Sequence, residues 1–241
     1  MTKFSEFTEY RTKRDFFNHC HISFRNKYVY FGVAKAANST IKYYLQKIEY
    51  QNTPYTVKNV HDKHYSPLLS PYQLDDAEFH AAMYGSEYKR FTLVRNPYAR
   101  LLSCFLDRVQ DTKSASYRNI MKHAGRDPRE FSFQEFVGLI GTQKVKEMDC
   151  HWRPQVYETY HGRIKMDSVL KFEDLPANLT EIISLTSCSD ESIFAEKANK
   201  SPSVTSAGKR LDEYYTGDIA DMANEIYSED FAAFNYSKLL A

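Results

Sequence analysis

Two short stretches carry residue types suited to holding anions. Residues 91–103 read FTLVRNPYARLLS, a run of β-formers that ends in Arg95 before Asn-Pro opens a helix. A guanidinium at the carboxyl end of a buried strand costs several kcal/mol unless it is paired. Pro97 fits the first helical turn, where its missing N–H has no partner to lose. Leu101, Leu102, Phe105 and Val109 then recur at helical spacing over residues 98–110, with Arg100 and Ser103 one and two turns in. Helix amino ends offer free N–H groups and partial positive charge, so this junction is a natural anion site. A capped turn with a solvated Arg95 is the plainer alternative. The second stretch, YFGVAKAANSTIKYYL, is again strand, loop and helix. Ala34, Ala36 and Ala37 allow close backbone approach, Lys35 supplies a mobile charge, and Asn38, Ser39 and Thr40 stand at the helix start. It is no Walker A loop, because G-x-x-x-x-G-K-[ST] is absent. Two such sites on neighbouring strand ends suggest a ligand with two separated phosphate-type groups, one at residues 35–40 and one at 95–103.

The elements that must position these residues follow from pattern. Residues 28–33 and FTLVR are strands, and SVLKFEDL holds a third. Helices are expected over residues 39–48, 70–85, 98–110, 132–140, 176–185 and 217–234; Ser70 and Pro71 open the second, and a Ser132/Glu135 capping box opens the fourth. Residues 51–70 look irregular, and 111–130 read as a polar surface excursion. Strands alternating with helices predict an α/β protein: one domain over 1–241 with a central parallel sheet flanked by helices and ligands at the strand carboxyl ends.

Composition narrows the partners. The 32 basic and 31 acidic side chains among 241 residues create no global field for nucleic acid. Four scattered cysteines form no C-x-x-C pair and no disulfide framework. The charged start MTKFSEFTEYRTKRDFF lacks a signal-peptide apolar region, and no apolar run reaches the ~20 residues a membrane span needs.

The ordered set AKAANSTIKYYL, FTLVRNPYARLLS, CHWRPQ, SVLKFEDL and IYSEDFAAFNYS resembles the carbohydrate sulfotransferases of the chondroitin/dermatan and HNK type and their microbial relatives, over about residues 22–237. The resemblance implies the P-loop-like sulfotransferase fold and a metal-free transfer of a sulfuryl group from 3′-phosphoadenosine 5′-phosphosulfate to a hydroxyl of a carbohydrate or similar small acceptor. It implies that Lys35 steadies the leaving oxygen, and that backbone groups of residues 36–40 (Ala36, Ala37, Asn38, Ser39, Thr40) hold the 5′-phosphosulfate. Arg95 and Ser103 would bind the 3′-phosphate, and a loop over residues 201–210 would close on the nucleotide with Lys209 or Arg210. The sequence departs from the family pattern at Ala34, where proline is usual, and in lacking both the cysteine pair after H-W and an amino-terminal anchor. A cytoplasmic, microbial enzyme is the expectation.

An acceptor hydroxyl must lose a proton, and histidine suits that task near neutral pH. His80, His61, His64 and His151 are candidates. His80 is preferred, since EFHAA resembles the position of the base in related heparan-type enzymes; an ordinary surface histidine is the alternative. His151, Trp152 and Arg153, with His61, are assigned to the acceptor, although a buried Trp anchoring the cleft wall stays open. Glu173 and Asp174 read as a strand end and helix cap. A non-catalytic binding module of the same fold and a nucleotide-dependent kinase remain as other functions, the kinase disfavoured by the missing Walker loop.

Overall fold

The computed structural model describes residues 3–109, 111–194 and 205–239. Four strands form one sheet in the order β1 (Cys20–Ser23), β2 (Tyr28–Phe31), β3 (Lys89–Val94), β4 (Ser168–Lys171). The first pair is an antiparallel hairpin with Cys20 opposite Phe31, whereas β2–β3 and β3–β4 are parallel, with Tyr30 opposite Phe91 and Leu93 opposite Leu170. The α/β class and mostly parallel sheet follow the expectation. The edge strand β1 is a finding, because its four residues are too short a run to show a pattern.

The helices are α1 (Lys13–His19), α2 (Asn38–Glu49), α3 (Asp76–Tyr84), α4 (Pro97–Cys104), α5 (Ala115–Ala124) and α6 (Phe133–Gly141). They continue as α7 (Gln155–Glu158), α8 (Leu175–Leu185), α9 (Leu211–Tyr214), α10 (Gly217–Ile226) and α11 (Ser228–Phe234). Side chains of β2 alternate between two cores, as the period of a strand requires. Val29 and Phe31 pack with Phe16 of α1 and Phe79 of α3, while Tyr28 and Tyr30 pack with Ile41 and Leu45 of α2 and Ile182 of α8. A third core joins α4, α5, α6, α10 and α11 around Leu102, Ile120, Phe136, Ala223 and Phe231.

Three expected elements differ in detail. Over residues 70–85 the Ser70/Gln73 capping box opens only a single turn, Pro71–Gln73, and α3 starts separately where Asp75 accepts from the Glu78 amide. The helix after Arg95 is capped by Asn96 and ends at Cys104; a π turn, Phe105–Val109, replaces its last stretch. Residues 111–130 are not merely a surface excursion. Ser114 caps α5, whose Ser116, Tyr117 and Ile120 are buried. The Ser132/Glu135 box caps α6 as predicted. All four cysteines are free thiols.

Candidate active site

The loop after β2 is held in a conformation that side chains resist. Lys35 and Ala37 both take positive φ, 66° and 51°, in the left-handed region. Such backbone persists only where surrounding contacts impose it, and it clusters at functional sites. Ala37 is the residue before α2, and no side chain caps that helix. The first amides of α2 therefore face outward without a helical acceptor. Gly32 contributes space: a Cβ there would meet Asn38 Oδ1 at 2.5 Å. That oxygen is itself buried without a hydrogen-bond partner.

Arg95 follows β3 and reaches this loop. Its Nη1 donates to the Lys35 carbonyl at 3.0 Å, and its guanidinium lies 4.4 Å from the Phe172 ring centre. The Arg95 Nε is buried and unpartnered. Burial pushes Arg95 down from its ordinary pKa, with Glu173 opposing that shift, yet a guanidinium stays charged. Its backbone is clamped by Gln155, whose amide accepts from Arg95 N at 2.9 Å and donates to Arg95 O at 2.8 Å. Asp230 in turn accepts from the Gln155 and Val156 amides at 2.8 and 2.9 Å. Glu173 accepts from the Asn96 amide at 2.9 Å and from the Tyr236 hydroxyl at 2.9 Å, so it ties the end of β4 to the start of α4.

Arg100 is a tie rod that sequence pattern noted without a role. Fully buried, it donates to the carbonyls of Ala34, Arg153 and Cys150 at 2.9, 2.8 and 2.8 Å. It thereby fixes the loop against residues 149–153. There Asp149 Oδ1 lies 2.6 Å from His151 Nδ1, and Ser116 Oγ lies 3.1 Å from the same nitrogen. Burial works against ionising Asp149, but hydrogen bonds from His151 outweigh it and hold the carboxyl below its ordinary value. With Nδ1–H given to Asp149, His151 Nε2 is the nitrogen left to take a proton. The one Arg100 guanidinium that holds the Ala34 carbonyl also holds that of Cys150, so residues 149–153 and the start of the Lys35 loop meet at this side chain.

His61 completes the rim. Its Nε2 is 2.9 Å from Ser39 Oγ. Lost hydration around the ring, then the charges of Lys42 and Arg108, push His61 down to about 4, with His151 adding to that field. Lys35 Nζ meets Asp107 Oδ2 at 2.7 Å. Asp107 was not singled out by the sequence; its one signal is the i, i+4 spacing from Ser103.

Other expected site residues fall elsewhere. His80 is exposed on α3 with its ring 5.0 Å from that of Tyr84. Glu78 of the same helix pairs with Lys27, just before β2, whereas Lys35 follows the opposite end of that strand. Among the described residues the ring contact of His80 is with Tyr84, and no hydrogen bond joins it to the Lys35 loop. His64 is exposed in the turn Lys63–Tyr65. Trp152 is wholly buried, donating to Gln143 Oε1 at 2.8 Å and packing edge-on against Phe136. No ring face is left for an acceptor. Arg153 is equally buried, paired with Glu158 at 2.7 Å and Asp15 at 3.4 Å, so its charge is already answered. Ser103 accepts from Thr205 Oγ1 at 3.1 Å. Arg210 is paired with Glu213 at 2.9 Å and Lys209 is exposed, while residues 201–204 of the expected closing loop lie outside the described residues.

Asp149, Cys150 and His151 each offer one ligand atom, all within 4.8 Å. Burial pushes the Cys150 thiol well up from its ordinary value. A cleft of about 560 Å³ between Tyr10, Tyr157, His161, Arg163 and Glu229 includes no residue of the Lys35 loop.

The chain is an α/β protein whose parallel strand ends carry a left-handed, cationic loop and a buried arginine. Residues 18–237 match the sulfotransferase family, and the chain belongs to it. Carbohydrate sulfotransferase 11 of Mus musculus is 25% identical over 167 residues, covering 62% of this chain and 47% of its own length. Carbohydrate sulfotransferase 8 of Homo sapiens is 26% identical over 173 residues, covering 65% and 41%. Carbohydrate sulfotransferase 11 of Danio rerio is 26% identical over 171 residues, covering 62% and 47%. The chain spans about half the length of the curated relatives it matches. No solved structure matches it. These relatives are animal proteins, which lends no support to the expected microbial origin. Among the described residues no helix is long and apolar enough to cross a membrane.

Proposed function

We propose that this sulfotransferase-family chain takes a sulfuryl group from 3′-phosphoadenosine 5′-phosphosulfate and delivers it to a hydroxyl of a carbohydrate acceptor. The observation that carries the donor assignment is the unpartnered, buried Nε of Arg95 beside the Lys35 carbonyl. An unanswered guanidinium nitrogen is costly unless an anion completes it. The carbohydrate acceptor rests on the names of the matched relatives. When bound, the donor supplies an activated sulfuryl group. Lys35, the amides at the start of α2 and the Ser39 and Thr40 hydroxyls would hold its 5′ side, and Arg95 with Ser103 its 3′-phosphate. Lys35 neutralises charge as the phosphate side departs. His151 Nε2, oriented by Asp149, takes the acceptor hydroxyl proton; this replaces His80 as the base. Asp149 keeps the imidazole in one tautomer and stabilises its charged form.

Calorimetric titration with 3′-phosphoadenosine 5′-phosphate tests the donor. Binding is expected in EDTA and unchanged by added Mg²⁺. Preference for ATP with an absolute need for Mg²⁺ would move the chain to the kinase class. A panel of glycans with sulfur-labelled donor then tests the acceptor; labelling of no glycan overturns that half of the proposal.

A further inference from the structure

The lysine proposed to meet the donor is already occupied. Lys35 Nζ and Asp107 Oδ2 are 2.7 Å apart, with side chains only 9% and 16% exposed. An ammonium so enclosed cannot serve two anions at once without strong repulsion between them. Arg108 Nε lies 3.1 Å from the same Asp107 oxygen. That contact lacks hydrogen-bond geometry, and the Nε is buried with no acceptor. Arg108 Nη1 is 3.9 Å from Asp111, an ion pair too long for a hydrogen bond. A second cation thus stands ready beside the carboxylate, its nearest donor unsatisfied.

The local backbone makes this arrangement. Residues Phe105–Val109 form a π turn rather than continuing α4. One extra residue in a turn rotates the following side chains by about 100° relative to a continued α-helix. The turn therefore resets the directions of Asp107 and Arg108 relative to Ser103. The Lys35 carbonyl is held by Arg95, so exchange of partners needs only side-chain motion.

From this geometry, and resting on the donor assignment above, we infer that Asp107 is a positioning residue that holds Lys35 until the donor displaces it. Arg108 is the group to which the displaced carboxylate turns. The pair acts as an electrostatic latch: Asp107 is shared between Lys35 and Arg108 in the free protein and is held by Arg108 alone, with a full hydrogen bond, once the anion arrives.

The latch predicts opposite effects from adjacent residues. In titrations of the full chain with 3′-phosphoadenosine 5′-phosphate, D107N removes the competing charge and tightens binding about tenfold. R108Q removes the alternative partner and weakens binding about tenfold. The double variant D107N/R108Q binds like D107N, because Arg108 acts through Asp107, and D107N brings no tightening in a K35A background. Loss of a nearby negative charge tightens anion binding even without a latch, but R108Q would then still weaken binding in the D107N background, so the double variant separates the two. Wild-type binding with D107N equal or weaker overturns the latch alone. Should D107N fail to fold, R108Q carries the test, and unchanged affinity in R108Q overturns it. If the wild type binds none of the nucleotide, the donor assignment falls and the latch with it.

Discussion

Arg95 and His151 show how one side chain is read differently once its neighbours are known. Arg95 follows a strand, and its buried, unpartnered Nε is the observation on which its proposed donor role rests. His151 stands next to Trp152, and adjacency made both look like acceptor contacts. Spacing along the chain does not reveal that Trp152 points into the third core while His151 turns to Asp149. His80 is attractive by resemblance, but it stands exposed on α3, its ring against that of Tyr84 one turn along the same helix. The proposal of His151 as base predicts that His151→Ala lowers kcat by ~10²–10⁴-fold, the usual worth of a general base. Affinity for 3′-phosphoadenosine 5′-phosphate should stay within about twofold, and His80→Ala should leave both quantities near wild type. Steady-state kinetics with the best glycan acceptor, beside calorimetry, checks the split. Normal turnover in His151→Ala removes it from the chemistry.

Elements were legible where burial pattern and end signals agreed. The strand β3, the start of α4 at Pro97, the cap of α6 and the extent of α2 to within a residue at either end follow from apolar spacing and end chemistry. The π turn was not legible, because Leu101, Phe105 and Val109 fit continued α-helical spacing equally well. Nor was α5: among its ten residues Tyr117 and Ile120 are the only large apolar side chains that are buried. Its place in the third core is nevertheless firm, since Ile120 is fully buried there. Ile120→Ala should lower unfolding free energy by roughly 2–4 kcal/mol, as for other buried aliphatic truncations. Urea denaturation measures this. A loss below about 0.5 kcal/mol, the range of ordinary surface substitutions, would return residues 115–124 to the surface.

The whole molecule is tuned for near-neutral pH by groups buried in their uncharged forms. Burial, then the charge of Arg11, pushes His19 down to about 4, against about 6.5 in an unfolded chain. Between these values the unfolded chain takes up a proton and the folded one does not. His19 stabilisation is therefore complete above pH 6.5 and falls as pH drops toward 4, by about 2 kcal/mol at pH 5. His21, fully buried, shifts further in the same direction. Asp230 opposes them: burial raises it to about 6, so its folded form keeps a proton through the range where the unfolded carboxyl has lost one. With two buried histidines against one acid, the urea midpoint should fall between pH 7 and pH 5, and His19→Gln should narrow that gap; an unchanged gap rejects the assignment. The partners of His19 have a consequence for how the chain is made. Arg11, which contacts His19, also donates to the carbonyl of Glu158, 147 positions further along the chain, and pairs with its carboxylate at 3.0 Å. A contact of such long range closes late, after the entropy of the loop between is spent. During synthesis Arg11 emerges long before Glu158 exists, so the β1–β2 hairpin can form while this charged arm stays unclasped. Fastening the arm waits for Glu158, so the amino-terminal segment is fixed by a residue made much later.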